Sequence, residues 1–176
     1  MEITLKGDAQ MKSVPSLKDK ALRINLNENI YGTFAEIGAG QETVRQFFRA
    51  GGASGTIAKA MSAYDKSFSD AIYGIENDRR YVTENRLRKM LTHEVRLIEE
   101  RISRDDNPNK MFFSYANTVS TIDFAKRYKG HGWMGLRYQI DPNEAYNEII
   151  LHLRFKESDA RLQQETLGKL GTNLIY

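Results

Sequence analysis

The chain has 176 residues, 40% of them hydrophobic and 28% charged, which suits one domain with a core of its own. Twenty-six basic residues against 23 acidic ones leave a net charge of +3, too small an excess to point to nucleic acid. The absence of cysteine excludes disulfides, thiolate catalysis and cysteine-held zinc or iron–sulfur centres, which fits a cytoplasmic protein.

The opening "MEITLKGDAQMKSVPSLKDK" carries charges throughout and lacks the apolar core of a signal peptide. No window approaches the ~18 apolar residues of a membrane span. Residues 1–20 read as a peripheral segment, with "EITL" as a short strand and Pro15 as a helix breaker, and residues 21–176 as one domain. Leu22, Ile24 and Leu26 alternate as in a strand. Leu22, Leu26, Ile30, Phe34 and Ile37 recur at helical spacing, and this longer series predicts a helix from about Asn27 to Ile37.

Gln41 to Ala50 reads as a second helix, ended by Gly51 and Gly52. Ser54 is then the expected N-cap of a third helix through Ile57, Ala58 and Met61, and Ser67–Tyr73 a fourth. The clearest helix is "TENRLRKMLTHEVRLIEERIS", capped by Thr83 and striped by Leu87, Met90, Leu91, Val95, Ile98 and Ile102. Beyond Pro108, "MFFSYANTVSTIDF", "WMGLRYQI" and "NEIILHLRF" read as strands, and Ser158 as the cap of a last helix. The expected fold is therefore α+β: a helix-rich N-terminal half, then a small, mostly antiparallel sheet and a C-terminal helix.

"AEIGAGQETVRQFF" has the outline of a dinucleotide-binding strand, turn and helix. Against that reading, Thr43 stands where the third glycine belongs, Gly32 interrupts the preceding run, and a helix is expected where a second strand should follow. "GGASGTIAK" is the better anion candidate: Gly51, Gly52, Ser54, Gly55 and Thr56 would offer N–H groups and hydroxyls at a helix start, with Lys59 one turn along. The plain alternative is a turn between helices. Ser114, Asn117 and Thr118 at a strand end, with His131, would add the polar lining of a pocket.

Lys126, Arg127, Lys129, His131 and Arg137 interleave with Phe124, Tyr128, Trp133 and Tyr138, as in single-strand nucleic-acid binders. A hairpin-like loop with core aromatics is the favoured reading. His93, His131 and His152 lie far apart and show no ligand spacing, so no metal site is expected. No catalytic residue or cofactor is assigned.

The stretch "NENIYGTFAEIGAGQETVRQFFRAGGASGTIAKAMSAYDKSFSDAIYG", together with "FFSYANTVSTIDF", "GHGWMGLRYQ" and "LQQETLGKLGTNLIY", resembles an uncharacterised bacterial family of large cytosolic proteins. Its members carry labels such as TonB-dependent receptor and nicotinate-nucleotide adenylyltransferase. The residues fit neither label: alternating lipid-facing strands are missing, and only Gly130-His131-Gly132 approaches an H-x-G-H turn. The resemblance implies an N-terminal part of a longer protein, as does an ending on Leu174, Ile175 and Tyr176.

Two functions follow as expectations. One is binding of a phosphorylated or nucleotide-like small molecule at Gly51–Lys59. The other is a non-catalytic interaction or assembly module, whose apolar C-terminus packs on a second copy or on the rest of a longer chain.

Overall fold

The computed structural model describes residues 14–176. Its helices are α1 (Leu17–Asn25), α2 (Thr43–Ala50), α3 (Lys66–Tyr73), α4 (Glu84–Arg101) and α5 (Ala160–Ile175). Its strands are β1 (Ile30–Gly38), β2 (Ile57–Met61), β3 (Met111–Ser120), β4 (His131–Tyr138) and β5 (Asn147–Arg154). The expected "EITL" strand lies outside the described residues.

Helices and strands interleave, which corrects the expected helix-rich half followed by a sheet. Among the described residues, one mixed sheet runs in the order β2-β1-β3-β4-β5. β2, β1 and β3 are parallel, whereas β4 and β5 are antiparallel additions. The parallel half is what the sequence reading missed, for two physical reasons.

The first is that β1 is covered on both faces. Phe34 and Glu36 point towards α2 and α5, while Thr33, Ala35 and Ile37 point towards α4, and all five are buried. A strand buried on both sides has no polar alternation to betray it. The helical series from Leu22 to Ile37 joins residues of α1, its C-cap Leu26, and β1, and Leu26 is exposed. The second is Gly52 in the left-handed conformation (φ 70°), after which a short 3₁₀ turn, Ala53–Gly55, delivers the chain into β2. Ser54 caps no α-helix, and the expected third helix is a strand.

Helix ends follow local chemistry. The Ser16 hydroxyl accepts the Asp19 N–H, and the Asp19 carboxylate accepts the Ser16 N–H, so residues 17–20 form the first turn of α1. Thr83 caps α4 as expected, and Asp159, one residue beyond the expected Ser158, caps α5.

The sheet separates two cores. Phe34, Phe47, Tyr115, Met134 and Leu167 fill the side of α1, α2 and α5, with the Phe34 ring 5.1 Å from Phe47 and 5.6 Å from Phe113. Ala35, Ala116, Leu87, Met90 and Leu91 fill the side of α4, where alanines let the helix sit close to the strands. Two charges are fully buried on this side. Arg86 pairs with Asp70 at 3.0 Å and Glu76 at 3.3 Å, and Glu94 pairs with Lys59 at 2.7 Å and accepts from Tyr73 at 2.9 Å. No described helix is long and apolar enough to cross a membrane.

Candidate functional site

The Gly51–Lys59 segment forms the end of α2 and the entry to β2. Asn25 donates its side-chain amide to the Phe47 and Gly51 carbonyls, at 2.8 and 2.7 Å, and so caps the C-terminus of α2. That is the end of a helix where carbonyls gather and the dipole repels anions. Thr56 donates its hydroxyl to the Asn25 carbonyl, and the Lys59 amine is held by Glu94. The helix N-terminus on which the anion reading depended is therefore not formed at Ser54.

Ser114, Asn117, Thr118 and His131 do not converge either. Successive residues of a strand point to opposite faces. Ser114 and Thr118 face α4, where the Thr118 hydroxyl donates to the Tyr81 carbonyl at 2.6 Å. Asn117 faces α2. His131 opens β4 opposite Ser120, at the sheet's far corner. Phe124 and Tyr128, expected in a core, are exposed.

The sequence reading passed over a site at the end of β1. The connection from β1 through α2 to β2 runs on one face of the sheet. The return through α3 and α4 to β3 runs on the other. β1 and β3 therefore flank a point where the winding reverses, and crevices of this kind at strand carboxyl ends accept ligands in open α/β sheets. Residues 39–42 form the loop from β1 to α2.

Its anion niche is already filled. The buried Glu36 carboxylate accepts the N–H groups of Thr43 and Val44, at 3.2 and 2.8 Å, and the Asn117 amide at 2.9 Å. Asn117 also donates to the Gly40 carbonyl, and the Thr43 hydroxyl meets the Tyr115 hydroxyl at 3.0 Å. Burial pushes the Glu36 carboxyl up to about 7, although its three hydrogen bonds oppose the shift. Burial and the Glu36 charge also raise the Tyr115 phenol above its ordinary range.

Glu36 forms part of a groove of about 260 Å³ between α2 and the edge strand β2. Val44 and Phe48 wall it, Ala60 lies beneath, and Gln41, Arg45 and Ser62 supply polar groups. Arg45 is half-exposed, with Glu42 3.7 Å away, and Phe48 leaves much of its ring in solvent. A stacking surface, a guanidinium and a carboxyl that titrates near neutrality thus share one small groove.

At the opposite corner, β4–β5 pairing joins two histidines that are 21 residues apart in sequence. His131 Nδ1 and His152 Nε2 lie 3.5 Å apart, and His152 stacks on Trp133 with ring centroids 4.5 Å apart. Burial first, then His152 and Arg154, hold the His131 imidazole below its ordinary pKa.

No known family profile matches the chain, and no curated protein is detectably similar in sequence. Solved structures do share its architecture. The competence-damaged protein (CinA) superfamily protein of Escherichia coli superposes with a TM-score of 0.63 at 12% identity, over 99% of this chain and 97% of that one. That of Klebsiella pneumoniae 700603 gives 0.61 at 10% identity, over 89% and 91%. The competence/damage inducible protein CihA of Agrobacterium tumefaciens gives 0.59 at 14% identity, over 94% and 97%. These neighbours overturn the expected kinship with proteins labelled TonB-dependent receptor or nicotinate-nucleotide adenylyltransferase. In its fold, the chain is similar to the CinA superfamily of competence- and damage-inducible proteins.

Proposed function

We propose that this chain binds a small phosphorylated or nucleotide-like molecule in the groove between α2 and β2, in the cytoplasm. The observation that carries this reading is the buried Glu36 carboxyl at the end of β1, lining a groove that also holds Arg45 and Phe48. Arg45 suits a phosphate or carboxylate, since a guanidinium offers paired donors. The Phe48 ring suits a planar base or sugar face. Gln41 and Ser62 suit hydroxyl or amide groups of the same ligand, while Glu36 fixes the start of α2 that carries Arg45 and Phe48. The reading moves the expected ligand away from the glycine turn, whose carbonyls and paired Lys59 disfavour an anion.

A thermal-shift and calorimetric screen of nucleotides and phosphorylated metabolites at millimolar concentration tests it. The expected result is stabilisation by at least one member, lost in Arg45→Ala and Phe48→Ala and kept in Gly55→Ala. Failure of the whole screen to stabilise the wild-type chain overturns it.

A second reading, assembly with another copy, has one observation in its favour. β5 is an edge strand with Leu151 exposed, close to an apolar cleft of about 290 Å³ that Ile149, Leu174 and Tyr176 help to line. Light scattering of the purified chain, with Leu151→Lys beside it, separates monomer from dimer.

A further inference from the structure

We infer that His131 and His152 form a two-imidazole site for a divalent transition metal on the β4–β5 corner. Two nitrogens bound to one ion at about 2.0–2.1 Å, with a tetrahedral angle between them, lie about 3.4 Å apart. His131 Nδ1 and His152 Nε2 are 3.5 Å apart and already face one another. Their rings meet edge to face, at 79°, with centroids 5.7 Å apart, so both lone pairs can aim at a point between them. As a direct hydrogen bond the same contact is long and needs one ring to be donor and the other acceptor. An ion bound to both takes the place of that shared proton.

Rigid parts hold the pair. Both histidines sit on paired strands, in registers that oppose His131 to Arg154 and His152 to Trp133. The Trp133 indole, stacked on His152 with an interplanar angle of 22°, fixes the second ring from behind. His152 is exposed and His131 half-buried, which leaves a path for the ion. Imidazole ligands select Zn²⁺, Ni²⁺ and Cu²⁺ over the oxygen-seeking Mg²⁺ and Ca²⁺. Among the described residues, no group of three or more His, Cys, Asp and Glu side chains gathers around an ion. The two histidines are therefore the ligand set among the described residues, and water or a small ligand completes the coordination. Arg154 carries a positive charge on the same face, so affinity is of the readily exchanging kind rather than that of a closed structural site.

The arrangement provides its own reporter, because Trp133 is the single tryptophan of the chain. Titration with Cu²⁺ or Ni²⁺ should quench its emission saturably with one ion per chain, and EDTA should restore it. Mg²⁺ should leave it unchanged. His131→Ala keeps the His152–Trp133 stack but removes one ligand, so the saturable phase should vanish; His93→Ala, elsewhere on α4, should behave as wild type. Calorimetry with Zn²⁺ on wild type, His131→Ala and His152→Ala gives a readout independent of the indole. Equal saturation in wild type and His131→Ala, or no heat with Zn²⁺ and no saturable quenching in the wild type, overturns the inference.

Discussion

Glu36 of β1 and Asn117 of β3 stand opposite one another in register, and the Asn117 amide donates to the Glu36 carboxylate at 2.9 Å. This contact ties the two central parallel strands together near their carboxyl ends. The same carboxylate takes the first free N–H groups of α2, so one side chain links sheet, helix start and groove.

Removing that side chain should be costly. Glu36→Ala leaves the N–H groups of Thr43 and Val44 and the Asn117 amide without their acceptor in a dry interior. The expected loss is about 2–4 kcal/mol in urea unfolding, with Glu36→Gln costing less because it keeps an acceptor of the same shape. A Glu36→Ala protein as stable as wild type would contradict the role given to this residue.

Glu36 should also write itself into the pH dependence of stability. Its carboxyl is raised to about 7 in the folded chain, above the ordinary value of about 4.3. The folded state holds this proton more tightly than the unfolded state. Its contribution is therefore complete below about pH 4.3 and is lost as pH rises through about 7, a change of about 3 kcal/mol. Glu36→Gln lacks this titration, so the stability of wild type relative to the variant should fall across that window. A constant difference would refute the assignment.

The two glycine-containing loops should respond oppositely to alanine. Gly38 has φ 73°, and a Cβ there would lie 2.4 Å from the Val119 carbonyl oxygen. Gly38→Ala should cost about 2 kcal/mol or more. Gly55, in the loop that drew attention in the sequence, has open space where a Cβ would sit. Gly55→Ala should stay within about 0.5 kcal/mol of wild type by denaturant midpoint.

Arg86 should be the most sensitive charge on the α4 side. Its fully buried guanidinium holds Asp70, Glu76, the Ser69 hydroxyl and the Gly74 carbonyl. Arg86→Met leaves Glu76 with only Lys89, at 3.0 Å, and the Asn85 amide, at 2.8 Å, and breaking a buried ion pair by removing one partner costs about 3–5 kcal/mol. Loss of cooperative thermal unfolding is an equally informative result, and an unchanged midpoint would oppose the account.

Elements with one wet face were legible from the residues. The stripe of Leu87, Met90, Leu91, Val95 and Ile98 locates α4, because a helix between core and water must alternate at its own period. β3, β4 and β5 were found by their aromatic and branched residues. β1 was hidden because the chain buries both of its faces, so Phe34 and Ala35 are equally apolar neighbours on opposite sides. β2 was hidden because five residues after a serine look like either element.

The candidate site was less legible, since its members come from distant positions. Nothing beside Glu36 in the sequence sets it apart, and only the parallel pairing of β1 with β3 sets it against Asn117. His131 and His152 looked unrelated for the same reason, until antiparallel pairing closed the 21-residue gap.

By itself, the sequence determined the absence of thiol chemistry, the cap at Thr83, the long amphipathic helix and the aromatic strands of the second half. These depend on residue identity and on contacts within a few positions along the chain. Only the tertiary structure decided the parallel strand order, the reversal of winding beside β1, the carboxylate that fills the start of α2, and the pairing of two histidines. Each of these depends on which surfaces must be buried together, and a strand enclosed on both faces leaves no local pattern to announce its neighbours.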